Sequence, residues 1–146
     1  MTPRKARLLS LAVALSVLGG GYAWALHQYG TVAGLRQRLA GQRLVVANPT
    51  AELGTAPKGQ PRDFTFRVRN CSGQPVTLLG MRTSCGCVTS AAFPLTIAAG
   101  AWHAIDGQIR PTAAGRQVRG LELYSDDPTA GRVAVAVAIV GEDNKG

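Results

Sequence analysis

Nineteen consecutive residues, 8–26, carry no charge: LLSLAVALSVLGGGYAWAL. As a helix rising ~1.5 Å per residue, this run is about 28 Å long, close to the hydrocarbon thickness of a bilayer. Arg4, Lys5 and Arg7 precede it, and cations flanking an apolar segment hold their side in the cytoplasm. Tyr22 and Trp24 stand near its far end, where amphipathic rings settle at headgroup level. The pattern predicts a cytoplasmic N-terminus over 1–7 and a transmembrane anchor over 8–26 in contact with the lipid bilayer. The protein is then single-pass in a cell membrane, with its C-terminal part extracytoplasmic, in the periplasm. A cleaved signal peptide competes, because Ala23-Trp24-Ala25 has the small-x-small form of a processing site and cleavage near Ala25 would leave a secreted or periplasmic product. The run exceeds the about 7 to 15 residues of a usual signal core, and Gly19-Gly20-Gly21 falls where such a core would end, so the anchor is favoured. Both readings put the rest of the chain across the membrane.

The full chain has 146 residues, so what remains suffices for one domain and excludes a dinucleotide-binding pair or a (β/α)8 barrel. A content of 46% hydrophobic and 16% charged residues is too apolar for disorder, while 18 Gly and 8 Pro weigh against a helix bundle. The net charge of +8 raises nucleic acid as a partner. Position answers against it: without Arg4, Lys5 and Arg7 the balance is +5, and the other cations are scattered singly with no recognition-helix or aromatic stacking pattern interleaved.

Residues 27–43 (HQYGTVAGLRQRLAGQR) place Val32, Leu35 and Leu39 at i, i+3 and i+7, which predicts a short helical stalk with those three as its apolar stripe. Beyond it the period changes to two. Phe64, Phe66 and Val68 alternate with Thr65, Arg67 and Arg69, a strand with one buried face. Asn70-Cys71-Ser72-Gly73 reads as a hairpin turn of residues tolerant of positive φ, and 75–83 (PVTLLGMRT) as the returning strand, with a bulge at Leu79-Gly80 restoring the inward phase at Met81. Further strands are expected at 44–47, 95–97, 103–109, 117–124 and 133–140. Turns fall at Ala99-Gly100, 111–115 and Asp126-Asp127-Pro128. Seven short strands over 44–142, each with one apolar face, predict an all-β immunoglobulin-like sandwich, followed by a tail at 143–146.

The motifs along this region resemble an uncharacterised bacterial Ig-like family, a domain of unknown function. They are Leu44-Val45-Val46, Glu52-Leu53-Gly54, Phe64-x-Phe66-x-Val68-x-Asn70, Gly73-x-Pro75-Val76, Ser84-Cys85-Gly86-Cys87, Ile97-x-x-Gly100 and Ser125-Asp126-Asp127-Pro128. The chain departs from the family pattern by inserting Cys71 and Ser72 between Asn70 and Gly73, and by carrying Ala99 where proline is common. The resemblance implies an exported or membrane-anchored sandwich similar to the major sperm protein and pilus chaperone type. It implies no activity and no ligand.

Three cysteines in an oxidising compartment cannot all pair within one chain. With 64–69 and 75–83 as a hairpin, Cys71 sits at the turn, about 25 to 30 Å from Cys85 at ~3.3 Å per residue, too far for a bridge. Cys71 is then an exposed turn cysteine. For Cys85 and Cys87 three readings stand: a structural pair or strained local disulfide, a soft-metal site with His103 as a conceivable third ligand, and a redox dithiol. The redox reading is weakened because active pairs are usually Cys-x-x-Cys at a helix N-terminus. The two histidines, His27 and His103, offer no activated-serine arrangement, and Glu122 with Asp126 or Asp127 is a poor carboxylate pair. The chain is therefore expected to be no enzyme and to hold no cofactor. It reads as a binding or assembly module that meets a protein partner by a sandwich edge or face, with 133–140 or 44–47 as the edge strands, and a thiol-based metal or redox carrier at Cys85 and Cys87 is the alternative.

Overall fold

The structure is a computed structural model that describes residues 3–90, 93–130 and 132–143. Residues 1–2 of the expected cytoplasmic segment and 144–146 of the expected tail lie outside the described residues. The uncharged run is helical throughout. Helix α1 (Pro3–Tyr29) passes through Gly19-Gly20-Gly21 without a break, and Arg7–Tyr29, 23 residues, is long and apolar enough to cross a membrane. Its leucines and valines from Leu8 to Leu18 are exposed.

Among the described residues nine strands follow: β1 (Leu44–Val46), β2 (Thr50–Pro57), β3 (Arg62–Asn70), β4 (Val76–Thr83), β5 (Val88–Ser90), β6 (Leu95–Ile97), β7 (Trp102–Ile109), β8 (Gly115–Ser125) and β9 (Val133–Glu142). They form a four-stranded sheet in the order β1-β3-β7-β5 and a five-stranded sheet in the order β2-β9-β8-β4-β6. Alternation fills the space between them. Phe64, Phe66 and Val68 of β3 and Ile105 and Ile109 of β7 meet Leu121 and Leu123 of β8 and Val133, Val135, Val137 and Ile139 of β9 in one buried cluster. Few aromatic rings are needed because the branched aliphatic residues close the core. The register of β4 on β8 shifts between Leu78 and Gly80, so Leu78 is fully buried, Leu79 is exposed, and Met81 packs back against the core.

Three expectations are corrected. Strand β9 is no edge: it lies between β8, antiparallel, and β2, parallel. Strands β2 and β5 carry no alternation strong enough to read, and β2 exists because β9 offers it a parallel ladder, interrupted by a register shift between Glu52 and Thr55 around Gly54 at φ +68°. Finally, β3 and β4 belong to different sheets, so Asn70-Cys71-Ser72-Gly73 is a crossing between layers and not a hairpin turn. No residue in it needs a positive φ.

Asn70 makes that crossing possible. Fully buried, its Nδ2 donates to the Gln74 carbonyl (2.7 Å) and the Ile97 carbonyl (2.9 Å), and its Oδ1 accepts from the Ser72 N–H (2.9 Å) and hydroxyl (2.7 Å). The side chain thus uses all of its hydrogen-bonding capacity to tie the end of β3 to β6 and to the approach to β4.

Helix α2 (Val32–Leu39) is more than a stalk, because it docks on the edge strand β1. Of the apolar stripe only Leu35 is half-buried, and the two outer residues are exposed. Val32 is 42% and Leu39 79% exposed, whereas Gly34 is buried against Val45, and Gln37 accepts from the Val46 N–H (2.8 Å) and donates to the Val46 carbonyl (3.4 Å). Thr31 caps the helix through the Gly34 N–H (3.1 Å), and its hydroxyl donates to the Ala47 carbonyl. A free strand edge demands polar partners, which an amide supplies and a leucine cannot.

Asn70→Ala is expected to cost about 2 kcal/mol, because the buried carbonyl of Ile97 loses its donor and the crossing loses its ties to Ser72 and Gln74. Denaturant unfolding of the full chain in detergent micelles measures it, and a loss below about 0.5 kcal/mol would remove Asn70 from this role.

Candidate functional site

Cys85 and Cys87 lie in the corner between β4 and β5 and are joined as a disulfide, with Cα atoms 5.3 Å apart. Both are partly buried against the core. The corner is held by the Thr83 hydroxyl donating to the Cys85 carbonyl (2.5 Å) and the Arg110 N–H donating to the Cys87 carbonyl (3.0 Å). His103 is exposed near the start of β7, whereas Arg110, which meets Cys87, follows that strand's end. Seven residues of strand, about 23 Å, separate them, so His103 is not brought to the cysteine pair. Among the described residues no group of three or more His, Cys, Asp and Glu side chains gathers where a metal ion could sit.

The carboxylates are used singly. Glu122 lies 3.9 Å from Arg132 and 3.5 Å from the Tyr124 hydroxyl, and Asp126 Oδ1 accepts from the Thr77 N–H (2.9 Å). Asp127 Oδ1 accepts from the Thr129 N–H (2.8 Å) and hydroxyl (2.5 Å), while its Oδ2 accepts from Arg43 (3.1 Å). The pair braces the turn into Pro128 and does not form an acid and base couple.

The crossing between the sheets creates a feature that local sequence patterns do not reveal. An open cleft of about 720 Å³ lies between the segment after Asn70 and the turn before Pro128, and Arg38, Arg43, Cys71, Gln74, Asp126 and Asp127 are among its lining residues. Its parts come from α2, the link into β1, the crossing and the loop after β8. Cys71 is free and half-buried there, a correction to its expected exposure. Its N–H donates to the Arg43 carbonyl (2.6 Å). Burial pushes the thiol up from its ordinary range, against the pull of Arg69 and Arg38, so it is protonated and a weak nucleophile at neutral pH. The cleft is a polar surface with two guanidinium groups, one tied to Asp127 and one without an ion pair among the described residues.

Asp127 is held below the usual carboxylate range, first by the Thr129 hydroxyl, then by the Thr129 N–H, with Arg43 adding less. A carboxylate lowered in this way stabilises the turn above its unfolded pKa, and that contribution disappears as pH falls through the lower folded value. Thr129→Val is therefore expected to raise the Asp127 titration midpoint more than Arg43→Gln does, read from carboxyl chemical shifts of the full chain in nanodiscs. The reverse ranking would place the Arg43 pair first.

No curated protein matches the sequence significantly. Among solved structures, the chain resembles the VesB protease of Vibrio cholerae (TM-score 0.57, 16% identity, 72% of this chain and 34% of that one). It also resembles the YadV chaperone (0.55, 13%, 72% and 55%) and a PapD-like domain of human CEP192 (0.52, 8%, 72% and 87%). The chain spans about a third of VesB and about half of YadV. At these identities the likeness is one of fold, and it is the sandwich that is shared. Residues 44–139, from the first residue of β1 to near the end of β9, match the family described as "protein of unknown function (DUF1573)", and the chain belongs to that family.

Proposed function

We propose that this protein is a membrane-anchored, non-catalytic binding module. Helix α1 crosses the bilayer with Arg4, Lys5 and Arg7 on the cytoplasmic side, and the sandwich stands extracytoplasmically and receives a polypeptide partner. The observation that carries the reading is the cleft beside the Asn70 crossing, a polar concavity assembled from four separate segments, with Arg38 on its wall making no ion pair among the described residues. Strand addition is less favoured than the expectation from sequence held. The β1 edge is occupied by Gln37, the β2 edge is broken at Gly54, and β5 and β6 are three residues each. The likeness to a chaperone and to a PapD-like domain supports a scaffold suited to holding another chain. The isolated positions of His103, Glu122 and Asp126 support a non-catalytic role. An acidic stretch in the partner would match Arg38 and Arg43.

A photo-crosslinking residue at the exposed Gln74, in the full chain in its native membrane, is expected to give a discrete adduct mapping to an acidic peptide. Arg38→Glu is expected to remove most of it, and the same residue at Val118, on exposed β8, should not form it. Identical adducts from Gln74 and Val118, or an adduct indifferent to Arg38→Glu, would overturn the cleft as the binding site.

The thiol carrier is the second reading, favoured by the joined, partly buried Cys85 and Cys87. Thiol counting with intact mass on the denatured, unreduced chain is expected to find one reactive thiol, Cys71, and three after reduction. Bound copper or zinc, or three thiols before reduction, would favour the carrier over the binding module.

A further inference from the structure

We propose that α2 is a second membrane contact: an interfacial helix whose outward face lies in the headgroup layer of an anionic bilayer and holds the sandwich against the membrane. The proposal rests on the anchor reading of α1. Three observations carry it. The first is the inverted polarity of α2. The N-cap Thr31 and the small and polar Gly34 and Gln37 face β1, while Val32 and Leu39, two turns apart and so on one line, are exposed on the opposite side and Leu35 beside them is half-buried. A helix docked on a soluble domain ordinarily shows the reverse order. Arg36 and Arg38 lie on either flank of that line, the arrangement of a helix lying in the plane of an interface.

The second is continuity. α2 starts three residues after α1 ends, across the single turn at Gly30 (φ +74°), and eight residues of helix reach only about 12 Å, so none of α2 escapes the vicinity of the bilayer surface. The joint is braced. The Arg69 guanidinium donates to the Gln28 carbonyl and sits 5.5 Å from the Tyr29 ring and 5.8 Å from the Trp102 ring, with Arg67 5.2 Å from Trp102. These side chains put aromatic rings and guanidinium groups at the level where the chain leaves the bilayer, the combination that belongs at headgroups. The third is charge. No acidic residue occurs before Glu52, and Arg36 and Arg38 of α2, unlike Arg43 with Asp127, make no ion pair among the described residues, which complements an anionic lipid surface.

The test is spin-label accessibility in the full chain, carrying Cys71→Ser and unreduced so that Cys85 and Cys87 stay joined, in nanodiscs of phosphatidylcholine and phosphatidylglycerol. Labels are placed at Leu39→Cys, Leu15→Cys and Val118→Cys, all exposed positions. The ratio of oxygen to aqueous nickel-chelate collisions is expected to be highest at Leu15, several-fold above Val118 at Leu39, and lowest at Val118. It should fall at Leu39 with Arg36→Glu and Arg38→Glu together. A Leu39 ratio equal to that of Val118 with Leu15 still lipid-exposed overturns the interfacial helix and leaves the anchor standing. Shielding of Leu39 from both reagents assigns the face to a protein or a second copy and also overturns it. An aqueous Leu15 removes the anchor and this proposal together.

Discussion

The two sheets are held in register by one amide. Asn70 ends β3 on the four-stranded sheet, and its side chain binds the carbonyl of Ile97 at the end of β6 and that of Gln74 just before β4, both on the side of the five-stranded sheet. Its own backbone accepts from the Gly100 N–H (2.8 Å) and donates to the Ala101 carbonyl (3.0 Å), which fixes the turn into β7 at the same point. Hydrophobic burial between the layers is non-directional and would tolerate sliding. Directional hydrogen bonds in a dry environment set where one layer sits on the other. Everything at that end follows from this point, including the depth of the cleft and the half-burial of Cys71.

The opposite requirement, a free strand edge needing polar partners, governs how the helices meet the domain. Gln37 satisfies both backbone groups of Val46 at the β1 edge, and Thr31 and Gly34 allow close approach. Thr31, just beyond α1, is thereby bound to the Ala47 carbonyl, and Arg69 completes the joint at Gln28. Helix α1 and the domain are consequently linked by a bonded corner and not by a loose tether, so the orientation of the cleft is coupled to the direction in which α1 leaves it.

Much of the fold was legible in the residues. Alternation at Phe64, Phe66 and Val68, and at Val133, Val135 and Val137, read the core correctly because strand side chains have a fixed period of two. The bulge at Leu79 was legible because a slip in that alternation has only one cheap structural remedy. Strand β2 was not, since in TAELGTAP only Ala56 is fully buried and the ladder it joins is parallel and distant in sequence. The stripe at Val32, Leu35 and Leu39 predicted the helix but not that Gly34 and Gln37 dock it on β1, since that contact joins separate segments. The cysteines divided similarly. Their separation held although its premise, a β3 and β4 hairpin, did not, because Cys71 and Cys85 flank the length of β4 in any arrangement.

The sequence by itself determined an uncharged helix long enough for a bilayer, a β domain with alternating faces, and a local pairing open to Cys85 and Cys87 alone. These rest on local rules: rise per residue, side-chain period and the reach of a short loop. The tertiary structure alone decided which strands are edges, that Asn70-Cys71-Ser72-Gly73 crosses between layers, that Arg38, Cys71 and Asp127 share a cleft, and that Val32 and Leu39 face outward. Each of these depends on contacts between segments far apart in the chain, for example Arg43 with Asp127 across 84 positions, and short-range periodicity carries no information about such pairs.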